Sequence, residues 1–157
     1  MKLIEIIISI MIGLLNSGCA APESSGSGAG TSDVTEVSQM EITIDVRGNK
    51  LTAALADSTA AKELAEKLEA EPVTVLLNEY GGFEKVGALG FSLPTDNSHI
   101  TTQAGDVILY NGDNIVLFYG SNSWSYTRLG RIKYSSLSEL KSFLKAGGGE
   151  ISVTLSL

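Results

Sequence analysis

The chain has 157 residues, 43% hydrophobic and 18% charged, a globular composition with room for one domain and its tails but not for two full cores. Its net charge of −7 argues against nucleic acid as a partner, since phosphate backbones are held by clustered Lys and Arg. A single cysteine excludes an internal disulfide, so the fold must be held by its core alone.

At the N-terminus Lys2 precedes an apolar run from Leu3 to Leu15, with Glu5 as its only charge, and the run ends in Asn16-Ser17-Gly18-Cys19. A cationic start, roughly 7–15 apolar residues and small residues at the end describe a secretory signal, whereas a membrane span needs about 20 apolar residues. The ending resembles the lipobox of bacterial lipoproteins. That resemblance implies a signal peptide over residues 1–19, lipidation at Cys19 and an exported protein anchored to the cell membrane or outer membrane. A lipid-free cleaved signal and an uncleaved N-terminal anchor are the alternatives. Residues 20–39, rich in Ser and Gly with almost nothing large and apolar, read as a flexible linker. Coil scaling gives such a segment a reach on the order of 25 Å.

The domain occupies residues 40–157. Met40-Glu41-Ile42-Thr43-Ile44-Asp45-Val46 alternates apolar and polar residues, the period of a half-buried strand. Arg47-Gly48-Asn49-Lys50 is a turn and Leu51 to Leu55 returns as the second strand of a hairpin. Asp57 or Ser58 then caps a helix with Ala61, Leu64, Ala65 and Leu68 on one face, and Pro72 ends it. Beyond Pro72 strands are predicted at Val73–Leu77, Ala88–Leu93, Asp106–Tyr110, Ile115–Tyr119, Arg128–Lys133 and Glu150–Leu157. Asn111-Gly112-Asp113-Asn114 is a tight reversal. A second helix is predicted where Ser136-Leu137-Ser138-Glu139 has capping-box spacing, with Leu137, Leu140, Phe143 and Leu144 on its apolar face and Gly147 to Gly149 after it. The fold class is therefore mostly β with two short helices. About eight strands escape open edges by closing into a small barrel; a two-sheet sandwich is the alternative.

Leu93-Pro94, Ala104-Gly105-Asp106-Val107-Ile108-Leu109-Tyr110, Ile115-Val116-Leu117-Phe118-Tyr119 and Ser125-Tyr126-Thr127-Arg128-Leu129-Gly130-Arg131-Ile132 resemble segments of the bacterial cyclophilin-like proteins. The resemblance spans Met40 to Leu157 and implies a small barrel related in fold to the peptidyl-prolyl isomerases. It implies a fold more than an activity. An isomerase of that type uses an arginine near the prolyl nitrogen and carries Phe-His-Arg and Phe-Met-X-Gln strings, and neither string occurs here. A divergent peptidyl-prolyl cis-trans isomerase is accordingly the alternative to a non-catalytic module.

Other chemistry has little to stand on. The single histidine, His99, sits beside Ser98 and Asp96 in a loop-like segment, more simply solvent-exposed than a catalytic triad. Asp96, Asp106 and Asp113 lack metal-ligand spacing, and neither Gly81-Gly82 nor Gly147 to Gly149 has the lysine of a phosphate loop, so no metal and no cofactor is expected. What remains is a ligand site for a peptide or small molecule around Arg128. Trp124, Tyr126 and Arg128 alternate and share a face if extended, Tyr119 precedes them, and Asn78, Tyr80, Glu84 and Lys85, in a predicted loop, supply the opposite wall. Aromatic walls exclude water while a guanidinium holds a carboxylate. The competing reading pairs Arg128 with Glu79 or Glu84 to close the barrel, with the aromatics as core.

Overall fold

A computed structural model describes residues 39–157; the signal peptide, Cys19 and nearly all of the linker lie outside the described residues. Nine strands and two helices follow in the order β1 (Glu41–Val46), β2 (Asn49–Leu55), α1 (Thr59–Ala70), β3 (Val73–Tyr80), β4 (Glu84–Ala88), β5 (Ser98–Thr101), β6 (Asp106–Tyr110), β7 (Asn114–Phe118), β8 (Ser123–Ile132), α2 (Leu137–Phe143) and β9 (Ile151–Ser156). The hydrogen-bonded order is β2-β1-β9-β3-β4-β7-β6-β8, and β8 pairs back onto β2, so eight antiparallel strands form a closed barrel. Closure runs through Gly130, which lies opposite Leu55. A Cβ on Gly130 would sit 2.4 Å from the Ala54 carbonyl oxygen, so any side chain there would push β8 and β2 apart. The β5 strand is an addition, paired to the first half of β8.

Strand alternation sorts the residues onto two faces. Ile42 and Ile44, Ala53, Val75 and Leu77, Val107 and Leu109, Ile115 and Leu117, Leu129, and Ile151, Val153 and Leu155 belong to one buried cluster that fills the barrel and extends to Leu64, Leu68 and Leu140 of the helices and to Leu144 at the end of α2. Both helices start as the spacing predicts. The Ser58 hydroxyl accepts the Ala61 N–H, and the Ser136 hydroxyl accepts the Glu139 N–H at 3.1 Å. The hairpin, both helices and the closed barrel agree with the sequence reading.

Three expectations are corrected. The stretch Ala88–Leu93 is not a strand beyond Ala88; Leu89 and Leu93 are buried, but their N–H groups bond Asp113 and Gly112 carbonyls in an irregular crossing. Residues 78–85 are not a loop but a β3–β4 hairpin turning at Gly81-Gly82-Phe83. Strand β8 starts at Ser123, five residues before the predicted Arg128, and β5 was not expected at all.

Candidate functional site

Opposite the barrel interior, β4, β6, β7 and β8 carry a second, smaller buried cluster on their outer face: Ile108, Val116, Phe118 and Tyr126, with Phe83, Val86, Ile100 and Tyr110 packed on it. Apolar residues on both faces of a strand mean that something must cover each. Here Phe83 does part of the covering. Gly81 and Gly82 take positive φ (63° and 77°), and the turn folds the Phe83 ring over the Gly81 backbone, where a Cβ would lie 2.3 Å from it. The ring stacks on Phe118 at 6.2 Å and meets Tyr80 edge-on at 6.3 Å. On the other flank Tyr126 stands edge-on to Phe118 at 5.8 Å and to Tyr110 at 6.1 Å.

Between these walls runs a cleft of about 740 Å3, lined by Tyr80, Phe83, Glu84, Val86, Tyr110, Val116, Asn122, Trp124 and Tyr126. Tyr80 and Trp124 form its rim and are 61% and 57% exposed, unusual for side chains of that size. Asn122 is fixed by Thr102, whose hydroxyl donates to its carbonyl and accepts its N–H, and its amide donates to the Tyr126 hydroxyl at 3.0 Å.

The charged group at the cleft is Glu84, opposite Phe118 and Tyr80 in register and only 7% exposed. Its Oε2 is buried without a hydrogen-bond partner. Burial raises its pKa from the ordinary 4.5 to about 7. Burial likewise pushes the Tyr126 phenol up, the Asn122 hydrogen bond opposes this, and the Glu84 charge adds to it.

This shift has a stability consequence with a definite sign. The unfolded chain loses the Glu84 proton near pH 4.5 and the folded chain near pH 7, so the unfolded state binds fewer protons between these values and stability falls as pH rises through that window. The contribution is about 2–3 kcal/mol, present below pH 4.5 and lost above 7. Glu84→Gln should therefore match the wild type near pH 4.5 and exceed it by about 2–3 kcal/mol at pH 8. Urea denaturation of both proteins across this range checks it; parallel pH profiles would show that Glu84 is not held neutral by the fold.

Of the residues proposed from sequence, Tyr80, Glu84, Trp124 and Tyr126 meet in the cleft. Asn78 lies further along the same outer face, exposed and opposite Val86. Tyr119 points the other way, into the barrel, where its hydroxyl donates to Glu79. Lys85 is also internal, fully buried and paired with Glu79 at 2.8 Å. Arg128 shares the face of Trp124 and Tyr126 but not the cleft. Its partner is neither Glu79 nor Glu84 but Asp106, at 2.8 Å, and Arg131 binds the same carboxylate. A bulge places Leu129 extra between Arg128, opposite Ile108, and Gly130, opposite Val107. That one-residue slip lets arginines three apart converge on one carboxylate. Sequence reasoning missed Phe83, Tyr110, Val86, Val116 and Asn122. The signal available was the unbroken apolar character of Val107 to Tyr110 and Ile115 to Phe118, which requires cover on both faces.

His99 is exposed on β5, opposite Ser125. Among the described residues no three His, Cys, Asp or Glu side chains converge to hold a metal ion.

A model of the cyclophilin-like family matches residues 44–156. Among solved structures, a hypothetical protein from Archaeoglobus fulgidus is similar with a TM-score of 0.56 and 19% identity, over 75% of this chain and 94% of that one. A structure of McbB in complex with tryptophan is similar with a TM-score of 0.55 and 19% identity, over 73% of this chain but only 44% of that longer one. At such identity the likeness is one of fold. Curated proteins gave no match.

Proposed function

The chain belongs to the cyclophilin-like family, and from that premise we propose that its domain is a binding module that takes a peptide side chain or small ligand into the outer-face aromatic cleft. The observation that carries this is the cleft itself, about 740 Å3 walled by Tyr80, Phe83, Tyr110, Trp124 and Tyr126, with two of these rings left uncovered at the rim. A volume of that size fits a small-molecule site, and rigid aromatic side chains hold a ligand at low entropic cost. The isomerase alternative draws less support, because no arginine lines the cleft and Arg128 and Arg131 are both engaged by Asp106.

Trp124 is the only tryptophan in the chain and lines the cleft, so its emission reports occupancy directly. Titration with capped dipeptides bearing proline, aliphatic, phenylalanine or lysine side chains should shift that emission for at least one class. By calorimetry, Tyr80→Ala should weaken the same complex about tenfold, the usual effect of removing one aromatic wall. Emission unmoved by every member would sink the peptide side chain as occupant.

The second part of the proposal is that the module is tethered to the cell envelope through Cys19, on the strength of Ser17-Gly18-Cys19 after the apolar run. Cys19→Ala should move the protein from the membrane to the soluble fraction or leave it unprocessed. An unchanged membrane fraction would count against lipid anchoring.

A further inference from the structure

Resting on the reading of the cleft as a ligand site, we propose that its occupant is a cation with a flat apolar body, whose nitrogen pairs with the Glu84 carboxylate while the body lies against Phe83, Tyr110 and Trp124. The buried Asp106 and the half-buried Glu79 are both saturated. Asp106 takes two guanidinium groups and the Gln103 N–H, and Glu79 takes the Lys85 ammonium, the Tyr119 hydroxyl and the Gly147 N–H. Among the described residues Glu84 alone leaves a buried side-chain oxygen unpartnered, and a buried acceptor without a donor is an exception that calls for a cause.

The surroundings define the missing donor. The nearest cation in sequence, Lys85, faces the opposite side of the sheet and spends its hydrogens on Glu79 and the Gly148 and Gly149 carbonyls. Among the described residues no Lys or Arg lines the cleft. An anionic ligand would meet a like charge, and a neutral apolar one would leave Oε2 unpaired. A cation removes both penalties, gains the electrostatic attraction of the aromatic faces, and draws Glu84 back to its ionised form.

The chemistry is shared by a free aromatic amine and by the amino terminus of a peptide beginning with an aromatic residue, and the test separates them. At pH 8, Trp124 emission and calorimetry would follow phenethylammonium, 2-phenylethanol and phenylacetate, together with Phe-Gly-Gly amide and its N-acetylated form. The charged amine should bind roughly tenfold tighter than the alcohol or more, and phenylacetate weakest. Glu84→Gln should erase the preference and still bind 2-phenylethanol, which shows that the variant's cleft is intact. Preference among the small probes alone assigns a free amine, and a preference for the unacetylated peptide alone assigns a peptide terminus; either supports the inference. Equal affinity for amine and alcohol, or a preference that survives Glu84→Gln, overturns the inference and leaves the cleft as a ligand site. Failure of every probe to bind overturns both.

Discussion

Replacing Lys85 with Met should cost the domain about 3–5 kcal/mol, a large part of the roughly 5–15 kcal/mol that holds a domain of this size. The ammonium is fully buried, and its three hydrogens have three acceptors: Glu79 Oε2 at 2.8 Å, the Gly148 carbonyl at 2.8 Å and the Gly149 carbonyl at 2.7 Å. It thereby ties the glycine segment after α2 to the inside of β4, one step before β9 enters the barrel. Methionine has nearly the right shape and removes only the charge and the donors. Two carbonyls then lose their partner, and the Glu79 carboxylate, 22% exposed, keeps only the Tyr119 hydroxyl and the Gly147 N–H. Urea denaturation should show the loss and the melting temperature should fall by roughly 10–20 °C. Adding Glu79→Gln should recover part of it, since the uncompensated charge goes too. A loss below about 1 kcal/mol would mean that the ammonium's burial cost already cancels its bonds.

A second large effect is expected at Asp106, with an asymmetry that tests the arrangement. Asp106→Ala should cost about 2–4 kcal/mol, because a fully buried carboxylate is shared by Arg128, Arg131 and the Gln103 N–H, although both arginines can still reach water. Arg128→Ala alone should cost about 1 kcal/mol or less, since Arg131 still binds Asp106 through Nε at 2.9 Å and its terminal nitrogen at 2.8 Å. Removing both arginines strands the buried charge and should cost about 3–5 kcal/mol, well above the sum of the single changes. Capture of a cleft ligand should survive Arg128→Ala, because Arg128 does not line the cleft. A loss on Arg128→Ala as large as on Asp106→Ala would show that Arg131 is not a second anchor.

Half of the candidate site was visible in the residues. Trp124 and Tyr126 stood out by alternation, and Tyr80 and Glu84 as part of the polar-aromatic cluster in a predicted loop, and these four do meet. Arg128 stood out for the same reason as its neighbours and shares their face, yet its role depends on Asp106, which is distant in sequence, and on a bulge at Leu129 that no local pattern announces. Lys85 and Tyr119 were grouped with the site because charge and aromaticity signal a polar surface; in a strand, parity decides the face, and both fall on the inner one.

The sequence by itself determined what depends on local periodicity and capping: the first hairpin, both helices with their Ser58 and Ser136 caps, and a strand-rich remainder able to close on itself. These follow from a side-chain period and from backbone groups that must be satisfied within a few residues. Only the tertiary structure decided that residues 89–93 leave the sheet, that Ser98–Thr101 joins it as β5, and which carboxylates receive cations. Those outcomes rest on pairings between residues far apart in the chain, where the competing choices have the same local pattern and differ only in which partner barrel closure brings within reach.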